Sequence, residues 1–385
     1  MKKVVFYTIL LLIFSFLART YLVSRPVNTK ISKTYYQYDT TELNEVKKLN
    51  TSLLLDKVNL FKWDNEVFTL VRIAKLQDAD ASYIYTNLYV AQYDFALLSE
   101  KLTGKFSGTF DSISSLVLCK FFPNSCQILT KNIDQDPFSE KLSSIVMNHL
   151  NVKHNTKLIA NKPPKVLDGP NHWKGKIPYY GYDKTKQIPW IINSVSDISI
   201  LPAAPNDNNW KQQLEISKAA LAKITEAQKK SVAYWAGGPG TITPPGIWLE
   251  KANQYMQKRN IPLATFIRIR FALAIAIDDA VISVFTKKYT YWIKRPNMVD
   301  TSINTIMPTP NHPSYPAGHG AISGAAASVL TCLFPENANE WQSAANEATE
   351  SRVWGGIHYP IDTEQGLKLG NKVGNIVCHW LNEND

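Results

Sequence analysis

The stretch from Leu263 to Phe285 constrains the fold of this chain more than any other feature. It is apolar for about six helical turns, yet Arg268, Arg270, Asp278 and Asp279 interrupt it. A membrane span needs about 20 apolar residues and tolerates ionisable groups poorly. The stretch is therefore expected as a buried helix of a soluble, helical protein. A second apolar stretch, after His319, is rich in small residues and ends at Pro335, and it reads the same way.

The rest of the pattern is also helical. Between Asp80 and Lys101, the residues Ile84, Leu88, Ala91, Phe95 and Leu98 recur at spacings of three and four, one face of a helix. Helices are further expected over 105–125, 138–150, 210–235, 248–258, 263–293, 319–334, 339–354 and 362–381. Asn161 to Trp210 breaks the pattern with Pro163, Pro164, Pro170, Pro178, Pro189, Pro202 and Pro205. Its aromatics (Trp173, Tyr179, Tyr180, Tyr182, Trp190) suit an ordered, irregular excursion over the surface rather than a flexible linker. Few segments read as strands, so the fold class is all-α. Val90–Asp94 and Ile275–Asp279 fall late on two similar long helices, which hints at two packed helical bundles. The expected division is an export segment at 1–30, an N-terminal helical half with the excursion at 31–210, and a C-terminal helical half at 211–385.

Of the 385 residues, 45% are hydrophobic and 19% charged, enough apolar material for a large core. The net charge of +10 is spread rather than blocked. With no nucleic-acid signature beside it, this favours a solvated basic surface, an anionic small substrate or an anionic membrane surface over nucleic acid. Lys2 and Lys3 precede an apolar run from Val4 to Ala18, the pattern of a secretory signal or an uncleaved N-terminal anchor. The body is thus expected outside the cytoplasm, periplasmic or extracellular. That location permits a disulfide between Cys119 and Cys126. Cys332 and Cys378 fall on apolar helix faces and read as small buried hydrophobes.

Three short segments carry the chemistry. KYTYWIKRP holds Lys288 and Arg295, two turns apart, with Pro296 ending the helix. HPSYPAGHG holds His312, Gly318 and His319. SRVWGGIHYPID holds Arg352, His358 and Asp362. A buried phosphate-like anion needs several donors converging from different elements. An arginine fork grips two of its oxygens, a lysine adds a point charge, and a glycine at a helix start brings free backbone N–H groups. Asp362, four residues after His358, is placed to accept the Nδ1 proton and leave Nε2 free to attack phosphorus or ligate vanadium. His319 is then available to protonate a leaving oxygen or to manage the protons of bound peroxide. Asp362 also reads as the start of a helix, with Gln365 completing a capping box. Gly237–Pro245 reads as a loop without the ending of a nucleotide P-loop. His and Asp at this spacing, without further clustered ligands, give a weak zinc signal.

These segments resemble the signature of the superfamily that unites type 2 phosphatidic acid phosphatases, bacterial acid phosphatases and vanadium-dependent haloperoxidases. The flanking YWAGGPGTITPPG and PTPNHPSYPAGHGAISGAAA are similar to the soluble bacterial haloperoxidase-like branch. The resemblance implies a helical bundle, or two. It implies that Lys288, Arg295, Arg352 and the Gly318 N–H bind the anion, that His319 is the acid–base group, and that Asp362 orients His358. His358 would be the nucleophile of a phosphatase or the axial vanadium ligand of a haloperoxidase. His312 stands where the family tunes halide preference. Ala317 stands where the family usually has serine, and loss of one such bond to a charged group costs about 1.5–3 kcal/mol.

Two activities follow from the resemblance. One is a haloperoxidase with vanadate as cofactor and peroxide and halide as substrates. The other is a secreted phosphomonoesterase that acts on a phosphate ester without a cofactor. A non-catalytic anion-binding protein is a third reading, which Ala317 alone favours.

Overall fold

The computed structural model describes residues 33–133, 135–153, 167, 169–200 and 207–384. The expected export segment and the prolines at 163, 164, 202 and 205 lie outside them. Among the described residues there are fourteen α-helices and no strands, the all-α class expected from the sequence. They are α1 (Thr40–Lys47), α2 (Lys57–Ile73), α3 (Asp78–Thr103), α4 (Phe110–Phe121), α5 (Cys126–Leu129), α6 (Pro137–Lys153) and α7 (Asp207–Ala222). There follow α8 (Glu226–Ala236), α9 (Thr243–Lys258), α10 (Leu263–Tyr291), α11 (Pro296–Val299), α12 (Gly318–Leu333), α13 (Ala338–Trp354) and α14 (Pro360–Glu383).

The long apolar stretch is α10, and it is buried on every side against α3, α9, α12 and α14. A helix apolar all round has no solvent face to spare, so each of its charges must find a partner inside. Arg270 pairs with Asp64 of α2, which also accepts from the Tyr89 hydroxyl and the Asn253 amide, each at 2.8 Å. Arg268 donates to the Leu381 carbonyl at 3.1 Å. Asp278 accepts from Ser82 and from the Trp190 indole. Asp279 accepts three consecutive backbone N–H groups, from Trp190, Ile191 and Ile192, at 2.6, 2.9 and 3.1 Å. The Pro- and aromatic-rich segment is therefore anchored in the core, where Trp173, Trp190 and Ile192 are buried, rather than laid over the surface. Asp94, late on α3, does the same for another segment and accepts from the N–H groups of Tyr35 and Tyr36. The two helices that share a sequence echo thus share a structural task. α3 gathers α4 and α6, α10 gathers α12 and α14, and α3 and α10 pack on each other with one continuous core through both groups.

Several boundaries differ from the sequence reading. The helical stretch expected over 210–235 divides into α7 and α8 where Thr225 caps α8 with a reciprocal box to Gln228. The loop expected at Gly237–Pro245 is shorter: Thr243, Pro244 and Pro245 form the first turn of α9, where proline lacks no needed hydrogen bond. Asp362 does not cap α14. Tyr359 is the N-cap and Asp362 sits three residues in, its carboxylate accepting the Tyr359 N–H at 3.1 Å.

The closest helix pair is α12 with α14. Gly320 and Gly324 face Gly366, Gly370 and Gly374, and the backbones touch. A Cβ on Gly324 would lie 2.6 Å from the Leu367 carbonyl oxygen, and one on Gly374 equally close to that of Ala325. This approach overturns the reading of Cys332 and Cys378 as buried hydrophobes. They sit near the outer end of the pair, Cys332 exposed, and form a disulfide across a Cα–Cα distance of 6.5 Å. Cys119 and Cys126 form the other disulfide.

Candidate active site

The close α12–α14 contact fixes the site, because both helices begin there. The Ala317 N–H bonds the Asp362 carbonyl at 2.8 Å and ties the two starts together. Gly318 and His319 open α12 with first-turn N–H groups that have no acceptor within the helix. α10 ends at Trp292, which adopts left-handed φ, and the chain then turns to bring Arg295 back beneath the same point. Arg352 lies in the last turn of α13.

The structure brings together Lys288, Arg295, Arg352, His358 and His312, all buried, with His319 and Gly318. Arg295 is the hub. It donates from Nη1 to His358 Nε2 at 3.0 Å and to the Ile357 carbonyl, and from Nη2 to His312 Nδ1 at 3.1 Å. Lys288 Nζ donates to the carbonyls of Pro313 and Ser314 at 2.9 and 2.8 Å. Arg352 donates to the Val232 carbonyl, the Ser351 hydroxyl and the thioether of Met307. Every one of these acceptors is neutral.

Two histidine tautomers follow from the partners. A guanidinium only donates, so His358 Nε2 is an acceptor and its proton sits on Nδ1. That proton is donated to Asp362 Oδ2 at 2.9 Å. The same carboxylate oxygen accepts from the Ser314 hydroxyl, while Oδ1 has no partner. His319 Nε2 donates to the Trp235 carbonyl at 2.7 Å, which leaves its Nδ1 with a lone pair.

Burial sets the protonation of the site. It holds His312, His319 and His358 well below the ordinary histidine range. The charges of Lys288, Arg352 and Arg295, respectively, act as the next largest cause. Burial lowers Arg295 to about 10 and Arg352 to about 9. It lowers the Lys288 amine as well, with Arg295 second. Asp362 is pushed up to about 6 by burial against the opposing hydrogen bond of Ser314. Three cations are thus held out of water beside neutral acceptors, a costly arrangement that a bound anion would relieve.

A cavity of about 200 Å³ opens onto this cluster. Its floor includes His312, Gly318, His319 and His358, and its walls are largely apolar, with Pro239, Pro244, Met307, Pro308 and Pro310. Sequence reasoning missed four contributors. Ser314 lies inside a quoted segment, but nothing there revealed its bond to Asp362. Trp235 acts through its carbonyl, which no side-chain pattern reports. Asp78 and Tyr180 come from the N-terminal half, far from any motif. Among the described residues no cluster of three or more His, Cys, Asp or Glu is arranged to hold a metal ion.

The architecture is that of the bacterial vanadium-dependent haloperoxidases. One match is a bacterial vanadium-dependent iodoperoxidase, with a TM-score of 0.66 and 22% identity, covering 84% of this chain and 96% of that one. Another is the holo form of a bacterial vanadium-dependent chloroperoxidase, at 0.66 and 12% identity, covering 80% and 93%. No curated protein matches the chain at a significant level. The family model described as PAP2 superfamily matches residues 268–385, the part of the chain that holds all three segments.

Proposed function

We propose that this protein is a vanadium-dependent haloperoxidase-like enzyme that binds vanadate, or phosphate in its place, and oxidises halide with hydrogen peroxide. The observation that carries the reading is the meeting of three buried cations, Lys288 and Arg295 from one segment and Arg352 from another, beside the two histidines His319 and His358 that line the cavity. The donor set fits a tetrahedral oxyanion: two arginine forks, an ammonium, free N–H groups at a helix start and an imidazole backed by a carboxylate. Bound vanadate would supply Lewis-acid activation of peroxide without changing its oxidation state.

The protein's own groups take these parts. Lys288, Arg295, Arg352 and the Gly318 N–H hold the oxyanion. With an anion bound, Arg295 Nη1 would donate to it instead of to His358 Nε2, and Nε2 would be the atom that holds vanadium or attacks phosphorus. Asp362 keeps the proton on Nδ1 throughout. His319 Nδ1 takes a proton from incoming peroxide and returns it to the departing oxygen. His312, packed between Arg295 and the rings of Phe285 and Tyr180, borders the space where halide would approach. The proline-rich walls limit water.

The second reading is a phosphomonoesterase. It is favoured by the Asp362–His358 geometry, which suits a nucleophile as well as a ligand. A paired assay separates them: vanadate, peroxide and bromide or iodide with a halogenatable dye, against a chromogenic phosphate ester without vanadate. Dye halogenation is the expected outcome, and ester hydrolysis alone would replace the first reading with the second. Anion binding with neither activity would leave only a binding protein. In either enzyme His358→Ala should abolish turnover. We further propose export, supported by the Lys2–Lys3 and Val4–Ala18 pattern and by two disulfides, which persist in oxidising compartments.

A further inference from the structure

The N-terminal half sends a carboxyl group into the cavity. Asp78, at the start of α3, lines it together with Tyr180, Gly318, His319 and His358. Its Oδ1 accepts the Tyr180 hydroxyl at 2.7 Å and the Ala79 N–H at 2.9 Å. These two bonds fix the plane of the carboxyl and leave Oδ2 without a hydrogen-bond partner in the protein. Oδ2 lies 3.9 Å from where a Cβ on Gly318 would stand, and nothing else comes that near. An oxyanion seated on the Gly318 N–H therefore comes within reach of Asp78. At the neighbouring position Ala317 presents a methyl group and no hydroxyl.

We propose that Asp78 is an anion-binding residue of this site that acts as a carboxylic acid, with Oδ2 donating its proton to the bound oxyanion and Tyr180 as its positioning residue. An ionised carboxylate and an oxyanion side by side in a buried cavity repel, so one proton is held between them, as in paired catalytic carboxylates. The groups facing Asp78 are Asp80 of its own helix, Tyr180 and Lys184 of the irregular segment, Lys288 of α10, Arg295, His312, His319 of α12, and His358. Burial favours the neutral acid, while Tyr180, Lys288 and Lys184 pull the other way. A bound anion adds a negative charge and tips the balance to the acid. The proposal rests on the oxyanion reading of the pocket and supplies the donor that position 317 lacks.

Sulfate is the probe, because it carries no titratable proton near neutral pH. Calorimetric titration of the whole protein with sulfate, in two buffers of different ionisation enthalpy, counts the protons taken up. The wild type should take up protons on binding. Asp78→Asn, whose amide also donates, should bind sulfate within a few-fold of the wild type and take up one proton fewer. Tyr180→Phe should bind more weakly yet retain the uptake. Wild-type binding with no proton uptake would overturn the proposal, and so would uptake unchanged in Asp78→Asn. Sulfate bound about tenfold tighter by Asp78→Asn, with no change in protons, would show an ionised, repelling Asp78 and overturn it too. Absence of sulfate binding to the wild type would instead sink the oxyanion pocket itself.

Discussion

At the scale of single residues, the site works by giving each nitrogen a fixed task. His358 has donors and acceptors assigned on both ring atoms, by Arg295 and Asp362. His319 has one nitrogen held by a carbonyl and lines the cavity. Both imidazoles are kept neutral by burial and by cations. The sign is clear: a lowered histidine pKa preserves the neutral form as pH falls. A kcat/KM profile, which reports the free enzyme, should stay flat through about pH 6.5, the ordinary histidine value, and fall only below it. An acid limb at the ordinary value would show that these imidazoles are solvated. Asp362 offers a sharper test. Asp362→Asn conserves size but presents no anion to the His358 Nδ1–H, and the favoured tautomer is lost. Turnover should fall on the order of 10³-fold or more with the unfolding midpoint little changed. A drop in the midpoint as large as the drop in rate would reduce Asp362 to a structural role.

At the scale of elements, α12 and α14 are the parts that aim the site. Their contact is backbone on backbone, so even one methyl group has no room. Gly374→Ala, far along α14 from the cavity, should cost about 1–3 kcal/mol, read from urea unfolding, because the Ala325 carbonyl cannot retreat without moving the helix. The Cys332–Cys378 bridge ties residues 46 apart in sequence and the Cys119–Cys126 bridge residues 7 apart. Chain entropy assigns about 4 kcal/mol to the first and about 2 kcal/mol to the second. Cys332→Ser with Cys378→Ser should therefore destabilise more than the pair at 119 and 126, and the reverse order would rule out the entropic account. The helices themselves were legible from apolar spacing, and the three segments named His312, Gly318, His319 and His358, which line the cavity, but not Asp78 or Tyr180. What was not legible was how close α12 and α14 lie. Glycines at 320, 324, 366, 370 and 374 look like ordinary small residues until two helices are set against each other, and the Cys332 pairing follows only from that approach. Asp362 was misplaced as a cap for a similar reason: Pro360 can start a helix at its first turn, two residues earlier than the Asp362–Gln365 pattern suggested.

At the scale of the whole molecule, the two halves are joined by buried polar ties that no local pattern predicts. Arg270 was visible only as an interruption of an apolar run, and its partner Asp64 lies on a helix 206 residues away. Asp78 escaped notice because its significance depends on α3 ending its approach at the α12 start. The same long-range assembly sets how the protein responds to ligand. Lys288 and Arg295 come from one segment and Arg352 from another, and they are held without an opposing charge beyond Asp362 and Asp78, so folding concentrates positive charge that the unfolded chain disperses. An oxyanion binds the folded form and not the unfolded one. Stability should then rise with ligand by the mass-action increment, about 2.7 kcal/mol at a hundredfold excess over Kd. Inorganic phosphate or vanadate should raise the thermal midpoint of the wild type in a saturable manner, while chloride at equal ionic strength should not. Lys288→Met removes one cation and leaves the helix intact, and it should shrink that increment sharply whatever it does to the anion-free midpoint. Equal increments in wild type and Lys288→Met would mean that the anion binds elsewhere on this basic protein and that the buried cations serve the fold alone.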